Sequence, residues 1–333
     1  VTRPADIVEE VLRVYGYNNI PSGTKLNSSI PDFNSQTSNE NYKRITQQFV
    51  AQGFYELYNN SLTTPKHGGL ENEMVKILNP LSSELSVMRT NILYGMLEAV
   101  AFNSNRQQQN LRFFEFGNTY HKTDDGVIQE ETLGVVVTGE QTPVHWRSNN
   151  QKADFFYLKG VIGSLLNRLG IVVVETPANH PFFKEGIQLV HNNKVLGVLG
   201  VLATDKFEGI RIEQDVFGCT LSLKGLTEAA QEQMQVVSLS KFPSVQRDLA
   251  LLVDQNVSFE ALHEIALKTE KQLLKEVRLF DVFTGKGVPD GKKSYALSFT
   301  LVDNTSTLTD KQIDKVIQKI AAQYEKQLGA SLR

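Results

Sequence analysis

The stretch LRFFEFGNTYH, residues 111–121, decides how the rest of the chain is read. Leu111, Phe113, Phe114 and Phe116 give it strand propensity, and Gly117–Asn118 interrupt it. Inside it sits a glutamate, Glu115, with Arg112 shortly before, a pattern that ATP-binding sheets also show. The two are three positions apart, however, so on a strand they point to opposite faces. An arginine that neutralises an α-phosphate must share the ligand's face with its neighbouring acid. The spacing therefore predicts a strand that looks like part of such a site but lacks its working pair.

Around this strand the pattern is that of an α+β protein. Strands are expected at 54–61, 74–78, 111–120, 132–139, 187–191, 194–203 and 216–223, and helices at 5–15, 40–52, 90–104 and 154–169. Strand and helix do not alternate strictly, and hairpin signals recur, as at His191–Asn192–Asn193 between two apolar runs. This predicts a mostly antiparallel sheet with flanking helices rather than a doubly wound parallel one. Beyond residue 237 the pattern is cleaner: strands at 249–254, 277–283 and 294–302 and helices at 258–273 and 309–328, with a short LGASLR segment after them. Strand, helix, strand, strand, helix, strand is the ferredoxin-like order. The expected divisions are 1–21, a Ser/Asn/Pro-rich linker at 22–39, a core at 40–236 and a last domain at 237–333.

Composition narrows the function classes. The 333 residues exceed what one hydrophobic core usually serves. No apolar run approaches the roughly 20 residues of a membrane helix, so no membrane association is expected. The single cysteine, Cys219, excludes an internal disulfide framework, fits a reducing cytoplasm, and lies in an apolar run as a small buried residue. A net charge of −3 gives no global pull on nucleic acid, so any RNA contact must be local. The chain opens on Val1 within a helical pattern and reads as a piece of a longer one. The six histidines share no metal-ligand spacing, and neither a P-loop nor a dinucleotide glycine fingerprint is present.

Two further constellations stand out. In DIVEE, residues 6–10, Asp6, Glu9 and Glu10 lie on one flank of a helix, where a divalent cation would relieve their repulsion; taken alone, a solvated acidic first turn favoured by the helix dipole explains them better. In the last domain, Tyr295, Leu297, Phe299 and Leu301 form an apolar strand face, while Ser294, Ala296, Ser298 and Thr300 form a small one. On the neighbouring strand, alternation sends Phe280 and Val282 to the core and leaves Asp281 and Phe283 opposite. Two helices cover one side of such a sheet. The other would offer small residues beside an aromatic, a platform for single-stranded bases. Lys286, Lys292 and Lys293 flank it as candidate phosphate contacts.

Taken together, these segments resemble the β subunit of bacterial phenylalanyl-tRNA synthetase. The resemblance rests on DIVEEVLRVYGYNNIP (6–21), NPLSSELSVMRTNILYGMLEAVAFNSNR (79–106) and FFEFGNTY (113–120). It continues through FPSVQRDLALLVD, LFDVFTGKGVPDGKKSYALSFTL, TLTD and GASLR in the last domain. It implies a class II synthetase-like antiparallel core followed by a ferredoxin-fold anticodon-binding domain. It further implies an α2β2 heterotetramer, with tRNA(Phe) as partner and ATP and Mg²⁺ as cofactors, in which the α subunit carries the active site and β scaffolds it. No catalytic residue is expected here: the glycine-rich VLGVLGVLATD (195–205) holds no arginine, and Arg211 lies beyond it. Asp6, Glu9 and Glu10 match three of the family's four Mg²⁺ carboxylates. Phe283, Ser294 and Ala296 fall on its anticodon-binding face, Phe283 where a tyrosine is frequent. A complete single-chain synthetase of the organellar kind is disfavoured by the missing arginines. A non-enzymatic RNA-binding or scaffold protein built from synthetase-derived domains is the remaining alternative.

Overall fold

Phe113 and Phe114 point to opposite sides of one strand and both are buried, so the sheet that contains them is covered on both faces. The computed structural model describes residues 3–21, 23, 36–67, 72–142, 145–147, 151–230, 240–285 and 287–333; the linker expected at 22–39 and Lys286 fall largely or wholly outside them. The chain divides into two compact units, Val1–Met234 and Gln235–Arg333.

The first unit runs α1 (Pro4–Tyr15), α2 (Gln36–Ala51), β1 (Tyr55–Glu56), β2 (Leu62–Thr63), β3 (Val87–Met88), α3 (Leu93–Ser104), β4 (Leu111–Thr123), β5 (Gly126–Thr138), α4 (Phe155–Arg168), β6 (Val174–Pro177), β7 (Phe183–His191), β8 (Lys194–Leu202), β9 (Val216–Ser222) and α5 (Leu223–Ala229). Among the described residues its large sheet has the order β1-β4-β5-β9-β8-β7-β6. Only β1 joins in parallel; the other neighbours are antiparallel, as the hairpin signals predict. Asn192 and Asn193 take φ of 48° and 64° in the β7–β8 turn, the left-handed pair that a tight hairpin needs. The strands expected at 54–61 and 74–78 are much reduced. The first is a two-residue strand, and the second keeps a single bridge from Lys76 to Val87.

One face of this sheet packs Phe114, Val135, Val137, Leu199 and Cys219 against Ile45 and Phe49 of α2, Leu158 and Leu165 of α4 and Leu226 of α5. The other packs Phe113, Val136, Val198 and Val216 against Leu93, Met96, Leu97 and Val100 of α3. Burial on both faces is why 135–137 is an unbroken valine run rather than an alternating one. Cys219 is fully buried and desolvation pushes its thiol pKa up, so it is packing material. Helix α1 has no buried residue: Ile7, Val8 and Val11, apolar residues at helical spacing, are each more than half exposed.

The second unit is β10 (Val245–Asp254), α6 (Phe259–Thr269), β11 (Leu274–Phe283), β12 (Lys292–Leu301), α7 (Asp310–Leu328) and β13 (Ser331–Leu332), with sheet order β11-β12-β10-β13. Helix α6 begins where Ser258 Oγ accepts from Ala261 N and ends at Thr269, short of 273. There Glu270 Oε1 accepts from Gln272 N and Leu273 N, a turn that competes with further helix. Helix α7 starts on a Thr309–Gln312 capping box and stops at Gly329, whose φ of 62° is the left-handed stop glycine favours. Tyr295, Leu297, Phe299 and Leu301 meet Leu262, Ile265, Ile313, Ile320 and Tyr324 in one core.

Strand β11 departs from the expected alternation. Between Leu279, opposite Leu297, and Asp281, opposite Ala296, the register slips by one residue, and the extra residue is Phe280. Phe280 is 59% exposed and Val282, near the strand end, 50%, so neither joins the core. Leu274, Val277 and Leu279 fill it instead. Leu297→Ala should therefore cost about 2–5 kcal/mol in urea unfolding, and Phe280→Ala less than about 1 kcal/mol. Equal losses would return Phe280 to the core.

Candidate functional site

Glu115, on β4, is 1% exposed between the sheet and the elements packed on it, a place where an ionised carboxylate needs partners. It has them. Arg89 Nη1 donates to Oε1 at 2.7 Å and Asn59 Nδ2 to Oε2 at 2.5 Å. The Arg89 Nε donates to the Asn118 carbonyl at 2.9 Å. Arg89 is itself 3% exposed, and its backbone is fixed by Ser61 O and Tyr120 N, at 2.9 and 3.0 Å. Two glycines make the room. A Cβ on Gly117 would lie 1.9 Å from Arg89 Nη2, so the guanidinium crosses the strand only because that position is bare. A Cβ on Gly134, directly opposite Glu115, would lie 2.5 Å from Met96 Sδ, where α3 presses on the sheet.

Arg112 faces the other side, as its phase predicts. It donates to the carbonyls of Gln52, at 3.1 Å, and Gln141, and its guanidinium carbon lies 5.6 Å from the Tyr157 ring centre. Arg211 is at the surface beside Glu213, at 3.6 Å. The acid of the opening stretch is thus paired with an arginine 26 positions away. The one sequence signal for that pairing was the cost of a charged residue in an apolar strand.

Next to the pair a cleft of about 860 Å³ opens between residues 59–67 and α3. Its rim carries Lys66 and Glu208, 2.8 Å apart, each shifting the other toward its charged form. His67 is buried in its wall, stacked on Tyr94 with ring centres 4.4 Å apart and bonded through Nε2 to the Glu208 carbonyl at 2.7 Å. Removing one member of the Arg89–Glu115 pair strands a buried charge, so Arg89→Met should cost about 3–5 kcal/mol in urea unfolding. Adding Glu115→Leu should restore much of that loss; a double variant as unstable as the sum of the singles would refute the pairing's role.

In the second unit, the face away from α6 and α7 carries Phe283 directly opposite Ser294, with Leu252 beyond it on β10 and Ser331 beyond that. The next row is Asp281, Ala296 and Ala250, and Arg333 extends it, its N bonded to the Ala250 carbonyl at 3.0 Å. Phe283 is partly exposed, and Ser294 is buried beside it. Lys292 shares this face and lies 3.8 Å from Asp254. Lys293 is one residue out of phase, over the core-facing Tyr295 ring at 4.7 Å. Phe283, Ser294 and Ala296 are brought together, with Lys292 at their border and Lys293 across the sheet.

On α1, Asp6 lies 3.2 Å from Arg3 and Glu10 2.9 Å from Arg13, while Glu9 is exposed. Among the described residues, no three His, Cys, Asp or Glu side chains converge as a metal-holding group. As arranged here, two of the three carboxylates already have a cation, and the set does not fit a divalent ion without rearrangement.

Comparison with known proteins matches both units. The family described as phenylalanyl tRNA synthetase beta chain CLM domain matches residues 26–223, and the ferredoxin-fold anticodon binding domain matches 240–333. The phenylalanine–tRNA ligase beta subunit of Bacteroides thetaiotaomicron is 39% identical over an alignment covering all of this chain and 43% of the relative. That of Porphyromonas gingivalis is 36% identical with the same coverage, and that of Shewanella oneidensis 34% identical over 98% of this chain and 42% of its own length. The chain thus spans less than half the length of the curated relatives it matches. With its larger unit and its smaller one both accounted for, the chain belongs to the phenylalanyl-tRNA synthetase β-chain family.

Proposed function

We propose that this chain is the part of a phenylalanine–tRNA ligase β subunit that supports a catalytic α subunit and holds the anticodon region of tRNA(Phe). In that reading a cytoplasmic α2β2 assembly joins phenylalanine to its tRNA with ATP and Mg²⁺, and the chemistry belongs to α. The proposed limits are 40–236 for the scaffold core and 237–333 for the tRNA-binding domain. The observation that carries the tRNA reading is the open sheet face, where an aromatic, Phe283, adjoins the small residues Ser294 and Ala296 in register. Lys292 and Lys293 rest on their place in the sequence beside that face, and the Mg²⁺ role of Asp6, Glu9 and Glu10 on their helical spacing and the family resemblance. Arg3 and Arg13 would have to release Asp6 and Glu10 before a cation could enter.

The support for a non-catalytic core is chemical. Both oxygens of Glu115 accept hydrogen bonds from the protein, and Arg112 spends its guanidinium on two backbone carbonyls. Both groups are held by the protein's own atoms rather than turned toward a phosphate or an ammonium.

Base stacking on an aromatic contributes about 1–3 kcal/mol, so Phe283→Ala should weaken tRNA(Phe) binding roughly 5- to 150-fold without changing the thermal melt. Unchanged affinity would remove Phe283 from the interface. Tagged chain used as bait in its source cell should retain a phenylalanine–tRNA ligase α subunit, identified by mass. Its repeated absence would favour the free-standing RNA-binding alternative.

A further inference from the structure

The open face of the second unit is acidic where an RNA-binding surface should not be. By register it carries Asp248, Asp254, Glu276 and Asp281 against Arg278, Lys292 and Arg333. Two of those cations are already engaged: Arg278 bonds Glu276 at 2.7 Å, and Lys292 lies 3.8 Å from Asp254. Among the described residues, Arg333 has no ion-pair partner, and it is the cation left to attract a polyanion.

Its placement is specific. Arg333 is bonded through its N to Ala250 at the edge of the sheet beyond β10, in the row that holds Ala250 and Ala296, and its side chain reaches toward β11. It ends with its guanidinium carbon 5.2 Å from the centre of the Phe283 ring. The guanidinium therefore lies over one face of the ring, and a base and the guanidinium cannot both lie against that face. A base that takes the ring displaces the arginine, and the phosphate of that nucleotide then competes with the Asp281 carboxylate of the same row for the displaced cation. Arginine suits this exchange: it stacks on an aromatic in one state and offers a two-pronged N–H fork to phosphate oxygens in the other.

We propose that Arg333 is an RNA-backbone contact, held on Phe283 in the free protein and transferred to a phosphate when a base stacks there. The proposal rests on the open face being the tRNA-binding surface. It is tested by titrating a tRNA(Phe) transcript with the chain and its Arg333→Ala, Arg333→Lys and Phe283→Ala variants between 50 and 200 mM salt, with thermal melts to check folding. Arg333→Ala should bind about three- to tenfold more weakly at about 0.1 M salt, with a log–log salt slope shallower by about 0.7. Arg333→Lys should keep the slope while losing part of the affinity, because it retains the charge without the fork. Tighter binding by Arg333→Ala with an unchanged slope would mean that the arginine only covers the ring, and would overturn the proposal. So would wild-type affinity for Arg333→Ala while Phe283→Ala is weakened. If neither Phe283→Ala nor Arg333→Ala affects binding, the reading of the face itself fails.

Discussion

A carboxylate buried on β4, one strand in from the edge of the large sheet, is the constraint around which the larger unit is arranged. Glu115 can remain charged there only if a cation comes to it, and Arg89 does so from a segment that would otherwise lie outside the sheet. Bringing it in fixes more than one side chain. The backbone of Arg89 bonds both the end of the 59–61 segment and β4, and the helix that follows immediately seats Ile92 and Met96 over Gly134. The pair, two bare glycines and the helix are one mechanical unit, and a buried pair of this kind is worth more for its geometry than for net stability.

In the proposed reading, that arrangement lets a fold associated with catalysis be kept without the catalysis. The strand retains an acid and an arginine close in sequence, and both are consumed by structure on opposite sides of the sheet. In the proposed reading the core supplies a rigid support for a partner, while RNA recognition falls to the smaller unit. There the demands are reversed. Among the described residues, one face of this unit's sheet has neither α6 nor α7 packed on it, its strands carry small residues, and an aromatic with an arginine over it provides the features suited to a nucleotide.

Much of this was legible in the sequence because it is local. The phase of Arg112 against Glu115 follows from strand alternation, the β7–β8 hairpin from two adjacent asparagines, and the ferredoxin order from periodicity that changes cleanly from strand to helix. What was not legible is non-local or depends on a single inserted residue. No spacing announces that Arg89 pairs with Glu115 or that Gly117 is bare to admit it. Phe280 follows the alternation in sequence and leaves the core only because the backbone bulges before Asp281. Strand β6, whose Val174–Pro177 segment is short and ends in proline, carries too little pattern to be read at all. Arg333 is unremarked in sequence, and its place over Phe283 becomes visible only when four strands are set in register.

The central claim is that Glu115 is a structural acid and the core is inert. ATP–pyrophosphate exchange, with phenylalanine and Mg²⁺ present, tests it most directly on the purified chain and its Glu115→Gln variant. Both should show only background exchange. Exchange above background in the chain that disappears in Glu115→Gln would contradict the claim.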